Sequence, residues 1–254
     1  MKAVILAGGL GSRLTTQEAD LPKPMTNIGG MPILWHIMKI YSSHGVNDFV
    51  ILCGYKSFAI KNFFLNYRAH VSDIEINLRE DSFVFSSGKS EPWKIHLVET
   101  GNLTMTGGRL KRVEHLLDGD FCFTYGDGLG DIDITKLIQA HKVSKKMVTV
   151  TAVHLPGRFG AIEIVEDRVT SFHEKPQDSE TWVSGGFFVV NPNALELLGG
   201  DETVWENEPM QQLASSGQLN AWKHNGFWKP MDTPRDVIEL NRIWDSGEVP
   251  WKIW

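Results

Sequence analysis

Four short stretches of this chain carry residue types that handle phosphate. Leu6-Ala7-Gly8-Gly9-Leu10-Gly11-Ser12-Arg13 directly follows a short apolar run. Its three glycines let backbone N–H groups come close to an anion, while Ser12 adds a hydroxyl donor and Arg13 a planar guanidinium fork. Leu14 stands where a dinucleotide fingerprint needs its third glycine, and no Gly-Lys-Ser/Thr closes the loop as in a Walker motif. Ten residues after Arg13, Lys23 lies between Pro22 and Pro24, which restrict the backbone and hence the reach of its ammonium. It reads as a second phosphate cation.

Tyr125-Gly126-Asp127-Gly128 sets a carboxylate where an apolar strand ends. Open parallel sheets bind ligands at those carboxyl ends, and Mg2+ prefers one or two carboxylates with phosphate and water. Asp232, in Pro230-Met231-Asp232-Thr233-Pro234-Arg235, is a second candidate. Thr233 reads as a helix N-cap with Pro234 at the first helical position and Asp236 at the third. Asp232, one residue outside that helix, can still face a cleft.

Phe172-His173-Glu174-Lys175-Pro176, followed by Ser184-Gly185-Gly186-Phe187, suggests a polar rim with small residues that admit a hydroxyl-rich ring. The nine histidines show no zinc spacing such as His-Glu-x-x-His, and Gly-x-Ser-x-Gly is absent, which argues against a zinc site and a hydrolase elbow.

The elements that must carry these groups alternate between strand and helix. Apolar runs predict buried strands at Lys2–Ala7, Asp48–Cys53 and Asp120–Tyr125. Helical spacing predicts helices over Pro32–His44, with Gly45 as its stop, and over Ser57–Tyr67. Further strands are expected near Ile74–Leu78 and Lys94–Glu99, and a helix over Gly108–Leu117. Beyond these, strands are expected at Met147–Leu155, Ala161–Val165, Arg168–His173 and Trp182–Asn191. Helices are expected at Asn193–Leu198, Glu208–Ser216 and Arg235–Ser246, with Asp131 and Asp133 capping one near Ile134. The expected fold is α/β: a single Rossmann-like domain over 1–254 with a mixed, mostly parallel central sheet flanked by helices. Residues 1–130 would form its nucleotide-binding part. Residues 131–254 would hold the sugar-binding part and a smaller β-rich and helical C-terminal portion.

With 254 residues the chain can bury a substantial core. Its net charge of −6 is uneven: Lys and Arg balance Asp and Glu at 13 each in residues 1–127, against 12 and 18 in the rest. No basic stripe suits a nucleic-acid backbone. Two cysteines, Cys53 and Cys122, both in apolar runs, suit buried thiols in a reducing compartment. Signal-peptide character and an 18-residue apolar span are lacking, so a cytoplasmic location without membrane contact is expected. The Asn102-Leu103-Thr104 sequon then has no meaning. Seven of the nine tryptophans follow residue 181. The late ones are expected to pack the C-terminal helices or a subunit contact.

Taken in order, Gly8-Gly9-Leu10-Gly11-Ser12-Arg13, Pro22-Lys23-Pro24, Gly126-Asp127-Gly128, Phe159-Gly160-Ala161, Glu174-Lys175-Pro176, Gly185-Gly186-Phe187 and Asp232-Thr233 resemble the sugar-1-phosphate nucleotidylyltransferase family. Met105-Thr106-Gly107-Gly108-Arg109-Leu110-Lys111-Arg112, Pro156-Gly157-Arg158 and Pro250-Trp251-Lys252 are similar to its cytidylyl-transferring branch. Ser12 replaces the commoner threonine and keeps its hydroxyl. The resemblance implies CTP and glucose 1-phosphate as substrates, Mg2+ as cofactor, a homo-oligomer that is hexameric in this branch, and a role in supplying dideoxysugars to bacterial surface polysaccharide (O-antigen). It implies that Leu6, Ala7, Gly8, Gly9, Gly11, Ser12 and Arg13 bind the nucleotide, with Arg13 and the loop amides on its phosphates, and that Lys23 binds the α-phosphate or sugar phosphate. Asp127 and Asp232 would hold the metal, while Gly160, Glu174, Lys175, Gly185 and Gly186 would bind the sugar phosphate. Thr106 belongs to the nucleotide side, and Arg109 with Gly108 and Gly8 would read the base. The same chemistry with UTP or dTTP, and a non-catalytic regulatory subunit, are the competing readings. The latter would be expected to lose Arg13, Lys23 or a carboxylate, and all are present.

Overall fold

The computed structural model describes residues 1–9, 21–86, 88, 90–154, 161–165, 168–173 and 181–254, of which 161–165 and 168–173 as backbone alone. Seven strands build the central sheet: β1 (Lys2–Leu6), β2 (Asp48–Cys53), β3 (Lys94–Glu99), β4 (Phe121–Tyr125), β5 (Val148–His154), β6 (Trp182–Val190) and β7 (Leu219–His224). They lie in the order β7-β5-β6-β4-β1-β2-β3. Every neighbouring pair is parallel except those of β6, which runs against both β4 and β5. The expected mixed, mostly parallel sheet is therefore present, and strands from both halves of the chain share it.

After Lys2, β1 is apolar because both of its faces are covered. Ala3 and Ile5 join a core layer with Ile33, Ile37 and Ile51, whereas Val4 and Leu6 join another with Val50, Phe123, Leu110 and Trp205. Successive side chains of a strand point to opposite faces, so a strand buried on both sides loses the apolar–polar alternation.

Helices α1 (Ile33–Ser43), α2 (Ser57–Leu65), α3 (Tyr67–Val71), α4 (Thr106–Arg112), α5 (Ile134–Ser144), α6 (Glu208–Ser215) and α7 (Pro234–Asp245) accompany the sheet. None of them is long and apolar enough to cross a membrane. Helix α1 is stopped just past its end by Gly45, whose φ of +80° lets Val46 N–H reach back to the Tyr41 carbonyl at 3.1 Å. Three expectations need correction. The helix expected over Asn193–Leu198 is a 3-10 segment, Pro192–Leu197. The helix expected over Gly108–Leu117 starts at Thr106 and gives way after Arg112 to a separate 3-10 turn, Glu114–Leu116. Asp133 caps α5 by accepting from Lys136 N–H, but Asp131 pairs with His224 at 2.9 Å instead. Strand β7 was not anticipated, because Leu219-Asn220-Ala221-Trp222-Lys223-His224 is half-exposed and lacks a clean strand pattern.

The late tryptophans pack within the chain. His36 in α1 has its ring centroid 5.0 Å from Trp244, 6.3 Å from Trp251 and 6.0 Å from Trp254. Trp205 is fully buried against Phe123 and Phe188.

Candidate active site at the carboxyl edge of the sheet

β1, β2 and β4 are parallel and in register, so the turns that follow them, at Ala7–Gly9, Gly54 and Gly126, gather along one edge. Ala7 N–H donates to the Leu52 carbonyl at 3.1 Å, and Tyr55 N–H to the Gly8 carbonyl at 3.3 Å, which ties two of these turns together. Gly126 is needed there because a Cβ would lie 2.5 Å from the Leu6 carbonyl oxygen and 3.1 Å from Pro24. This contact seats the Pro22-Lys23-Pro24 segment, a 3-10 turn at Lys23–Met25, beside β4.

Asp127 and Asp232 meet although 105 positions separate them in the sequence. A small antiparallel ribbon pairs Gly128–Gly130 with Trp228–Pro230, and Met231 N–H donates to the Asp127 carbonyl at 2.8 Å. The start of α7 then holds Asp232. Thr233 and Asp236 form a reciprocal cap, and one Asp236 carboxylate oxygen accepts from Thr233 N–H at 2.8 Å and from Asp232 N–H at 3.1 Å. Burial opposes ionisation of Asp236, but these donors outweigh it and hold its pKa below the usual carboxylate value. Capping by Thr233 and a cleft-facing Asp232 thus coexist.

Lys23 lies between the two carboxylates. Its Nζ is 2.7 Å from Asp127 Oδ2 and 2.8 Å from Asp232 Oδ1. Burial weighs against the charged ammonium, yet the two carboxylates prevail and raise its pKa above the ordinary lysine value.

Two cavities meet at this cluster. The larger, of about 610 Å3, is walled by Leu6, Ala7 and Gly9, by Asn102–Thr106, and by Arg109 and Val204. The smaller, of about 210 Å3, is lined by Ser184, Gly185, Gly186, Phe187, Gly128 and Trp228. Tyr125, Asp127 and Asp232 border both. Gly185 and Gly186 lie near the start of their strand, and they reach this edge only because β6 is reversed, with Phe187 opposite Thr124. Gly186 has a φ of +76°, and a Cβ there would stand 2.5 Å from the Tyr125 ring. Trp228 Nε1–H donates to the Gly185 carbonyl at 2.8 Å, fixing the wall of the smaller cavity.

The predicted nucleotide-side residues divide. Leu6, Ala7, Gly9, Lys23, Thr106 and Arg109 line the larger cavity. Gly8 sits behind it, with the Arg109 guanidinium and the Gly54 backbone against its Cα, and the open side of Gly108 faces the Asp201 backbone. Arg109 is buried, and its Nη1 donates to Gly101 O at 2.6 Å, Thr100 Oγ1 at 2.8 Å and Cys53 O at 3.3 Å, while Nη2 reaches Asn102 O at 3.3 Å. The guanidinium is therefore a strut under the loop that walls the cavity. Gly11, Ser12, Arg13, Gly160, Glu174 and Lys175 lie outside the described residues.

Several site residues were not foreseen. Glu206 accepts from Tyr125 Oη at 2.5 Å and from Thr106 Oγ1 at 2.6 Å, so it joins the rim of the larger cavity to the residue shared by both. Nothing around Glu206 in the sequence signals this, since it lies in an acidic stretch between two short elements. Asn102-Leu103-Thr104, set aside as a sequon, forms cavity wall.

The model of the nucleotidyl transferase family matches residues 2–243. The chain is 51% identical to the glucose-1-phosphate cytidylyltransferase of Salmonella typhi and 41% identical to the probable glucose-1-phosphate cytidylyltransferase of Bacillus subtilis, in each case over the full length of both chains. Among solved structures, HddC from Yersinia pseudotuberculosis, in complex with GMP-PN, is similar with a TM-score of 0.71 at 21% identity, over 96% of this chain and 99% of that one. UTP-bound UGPase from Acinetobacter baumannii gives a TM-score of 0.71 at 14% identity, over 96% and 92%. At such identities these two likenesses are of fold.

Proposed function

The chain belongs to the nucleotidyl transferase family, and from that premise we propose that it transfers a cytidylyl group from CTP to glucose 1-phosphate, giving CDP-glucose and pyrophosphate. The observation that carries this reading is the meeting of two cavities, one large and one small, at a single cluster of Lys23, Asp127 and Asp232. Full-length likeness to cytidylyltransferases supports the choice of nucleotide and sugar.

A phosphate oxygen of the sugar 1-phosphate attacks the α-phosphorus in line. One P–O bond forms, the bond to the β-phosphate bridge breaks, and pyrophosphate carries away the electron pair. The nucleophile is already anionic, so no general base is required, and the protein contributes position and charge. Lys23 would bind the α-phosphate or the sugar phosphate, relieving the repulsion between two anions. Arg13 and the glycine loop would hold the β- and γ-phosphates. Glu174, Lys175 and Gly160 would bind the glucosyl phosphate beside Gly185 and Gly186. Arg109 would read the base through the donors it does not spend on the loop, preferring the O2 and N3 acceptors of cytosine.

Mg2+ suits this site. Two aspartates already converge on one cation, and that donor set, completed by phosphate oxygens and water, is one that Mg2+ favours. Among the described residues no third ligand joins them, so the remaining donors would come from substrate and solvent. When bound, the ion would neutralise charge at the α-phosphate. Asp127 and Asp232 would orient it.

We also read the protein as a cytoplasmic homo-oligomer, hexameric in this branch, that feeds deoxysugar synthesis for surface polysaccharide. An antiparallel hairpin, Asp73–Asn77 with Ser82–Ser86, stands outside the central sheet and exposes Ile76, Phe83 and Val84, surface that self-association would cover.

The test is pyrophosphate release across CTP, UTP, dTTP, ATP and GTP, each with several sugar 1-phosphates. Release with CTP and glucose 1-phosphate, well above every other pair, is expected. Product with UTP or dTTP alone would refute the cytidylyl assignment, and no product with any pair would refute the enzyme.

A further inference from the structure

Lys23 is expected to hold a phosphate and the two aspartates a metal, yet here the ammonium is bonded to both carboxylates. Lys23 is the most withdrawn of the three from solvent, with 15% of its side chain exposed against 33% for Asp127 and 37% for Asp232. Two carboxylates this close repel each other unless a cation lies between them. One ammonium leaves the cluster with one net negative charge, too little to hold a divalent cation and the lysine together. A metal entering alone would have to evict a largely buried ammonium from both of its partners, and such a group is costly to leave unpaired.

We propose that the Lys23 ammonium is the resident counter-ion of the Asp127–Asp232 pair and competes with the divalent cation for those two carboxylates. The proposal rests on reading Asp127 and Asp232 as the metal carboxylates of the transfer reaction. Lys23 can leave without a backbone change. Pro22 and Pro24 hold its turn, but the four-carbon side chain has rotatable bonds of its own and already borders the larger cavity. A phosphate there would receive the displaced ammonium. Metal uptake and nucleotide uptake are thereby coupled through one side chain, since each ligand removes what opposes the other.

The experiment titrates the full chain with Mn2+ alone, following free Mn2+ by electron paramagnetic resonance with no nucleotide or sugar phosphate present. Wild type should bind weakly, and Lys23→Met at least about tenfold more tightly, because the competitor is gone. Lys23→Gln, which is neutral but can still donate to one carboxylate, should fall between them and serves if Lys23→Met does not fold. Adding Asp127→Asn to either variant should abolish the gain. Equal Mn2+ affinity in wild type and variants overturns the proposal, and so does a gain that survives Asp127→Asn. Failure to make CDP-glucose would strike the proposed reaction and leave this competition standing, because no substrate enters the titration.

Discussion

At the scale of single residues, Arg109 shows how one guanidinium braces a loop, and the proposed reading of the base would add selectivity to that role. Buried beneath the loop at 100–102, it satisfies the carbonyls of Cys53, Gly101 and Asn102, which would otherwise lack this donor in the cavity wall. Charge-assisted bonds of this kind contribute about 1.5–3 kcal/mol. Arg109→Ala should therefore lower the unfolding free energy by roughly that much and should narrow the preference for CTP over UTP in kcat/KM. A stability loss with the nucleotide preference unaltered would leave Arg109 a strut and nothing more. The types Asp127, Asp232 and Lys23 were legible as chemistry from their neighbours alone. Their mutual contact was not, because the ribbon that joins Gly128–Gly130 to Trp228–Pro230 has only three residues per strand and no apolar signature. Glu206 was invisible for the same reason, its role being set by the positions of Tyr125 and Thr106.

Among the elements, α7 matters to the site through its first turn. The cap formed by Thr233 and Asp236 satisfies orphan N–H groups of the helix and, in the same hydrogen-bond set, fixes the backbone of Asp232. Asp236→Ala should cost about 1–2 kcal/mol of stability and lower kcat by loosening Asp232, as read by urea unfolding and steady-state rates. Asp236 titrates below its unfolded value, so its contribution is present above about pH 4 and is lost as pH falls through the folded pKa. The stability gap between wild type and Asp236→Ala should accordingly close in acid. This capping pattern was readable in Thr233-Pro234-Arg235-Asp236, as was the strand Asp48–Cys53, because caps and nearly continuous apolar runs have local causes. The break of α4 after Arg112 and the existence of β7 lacked such causes. β7 depends on a neighbour distant in sequence, its parallel partner β5.

For the whole molecule, the C-terminal tryptophans clasp the tail and α7 onto α1, and His36 is the centre of that clasp. Its Nε2 donates to the Ile28 carbonyl at 2.7 Å and its Nδ1 accepts from Trp251 Nε1 at 3.4 Å, so the neutral ring satisfies both neighbours. Burial lowers its pKa to about 4. The unfolded chain takes up this proton first, so the stability contributed by a neutral His36 is present above about pH 6.5 and is lost as pH falls toward 4. At the steepest the loss is about 1.4 kcal/mol per pH unit. Urea unfolding between pH 4.5 and 7.5 should show this slope, and His36→Gln should flatten it; an unchanged slope would place the sensitivity elsewhere. The sequence by itself determined the class of fold, most strand and helix positions, and which residue types suit an anion or a cation, since propensity, periodicity and residue chemistry are local. Only the tertiary structure decided that β6 runs backwards to bring Gly185 and Gly186 to the edge that holds Asp127. It alone decided that Arg109 lies beneath a loop and that Lys23 sits between its two aspartates. Those are pairings between segments far apart in the chain, and their energies come from burial and charge that no local window contains.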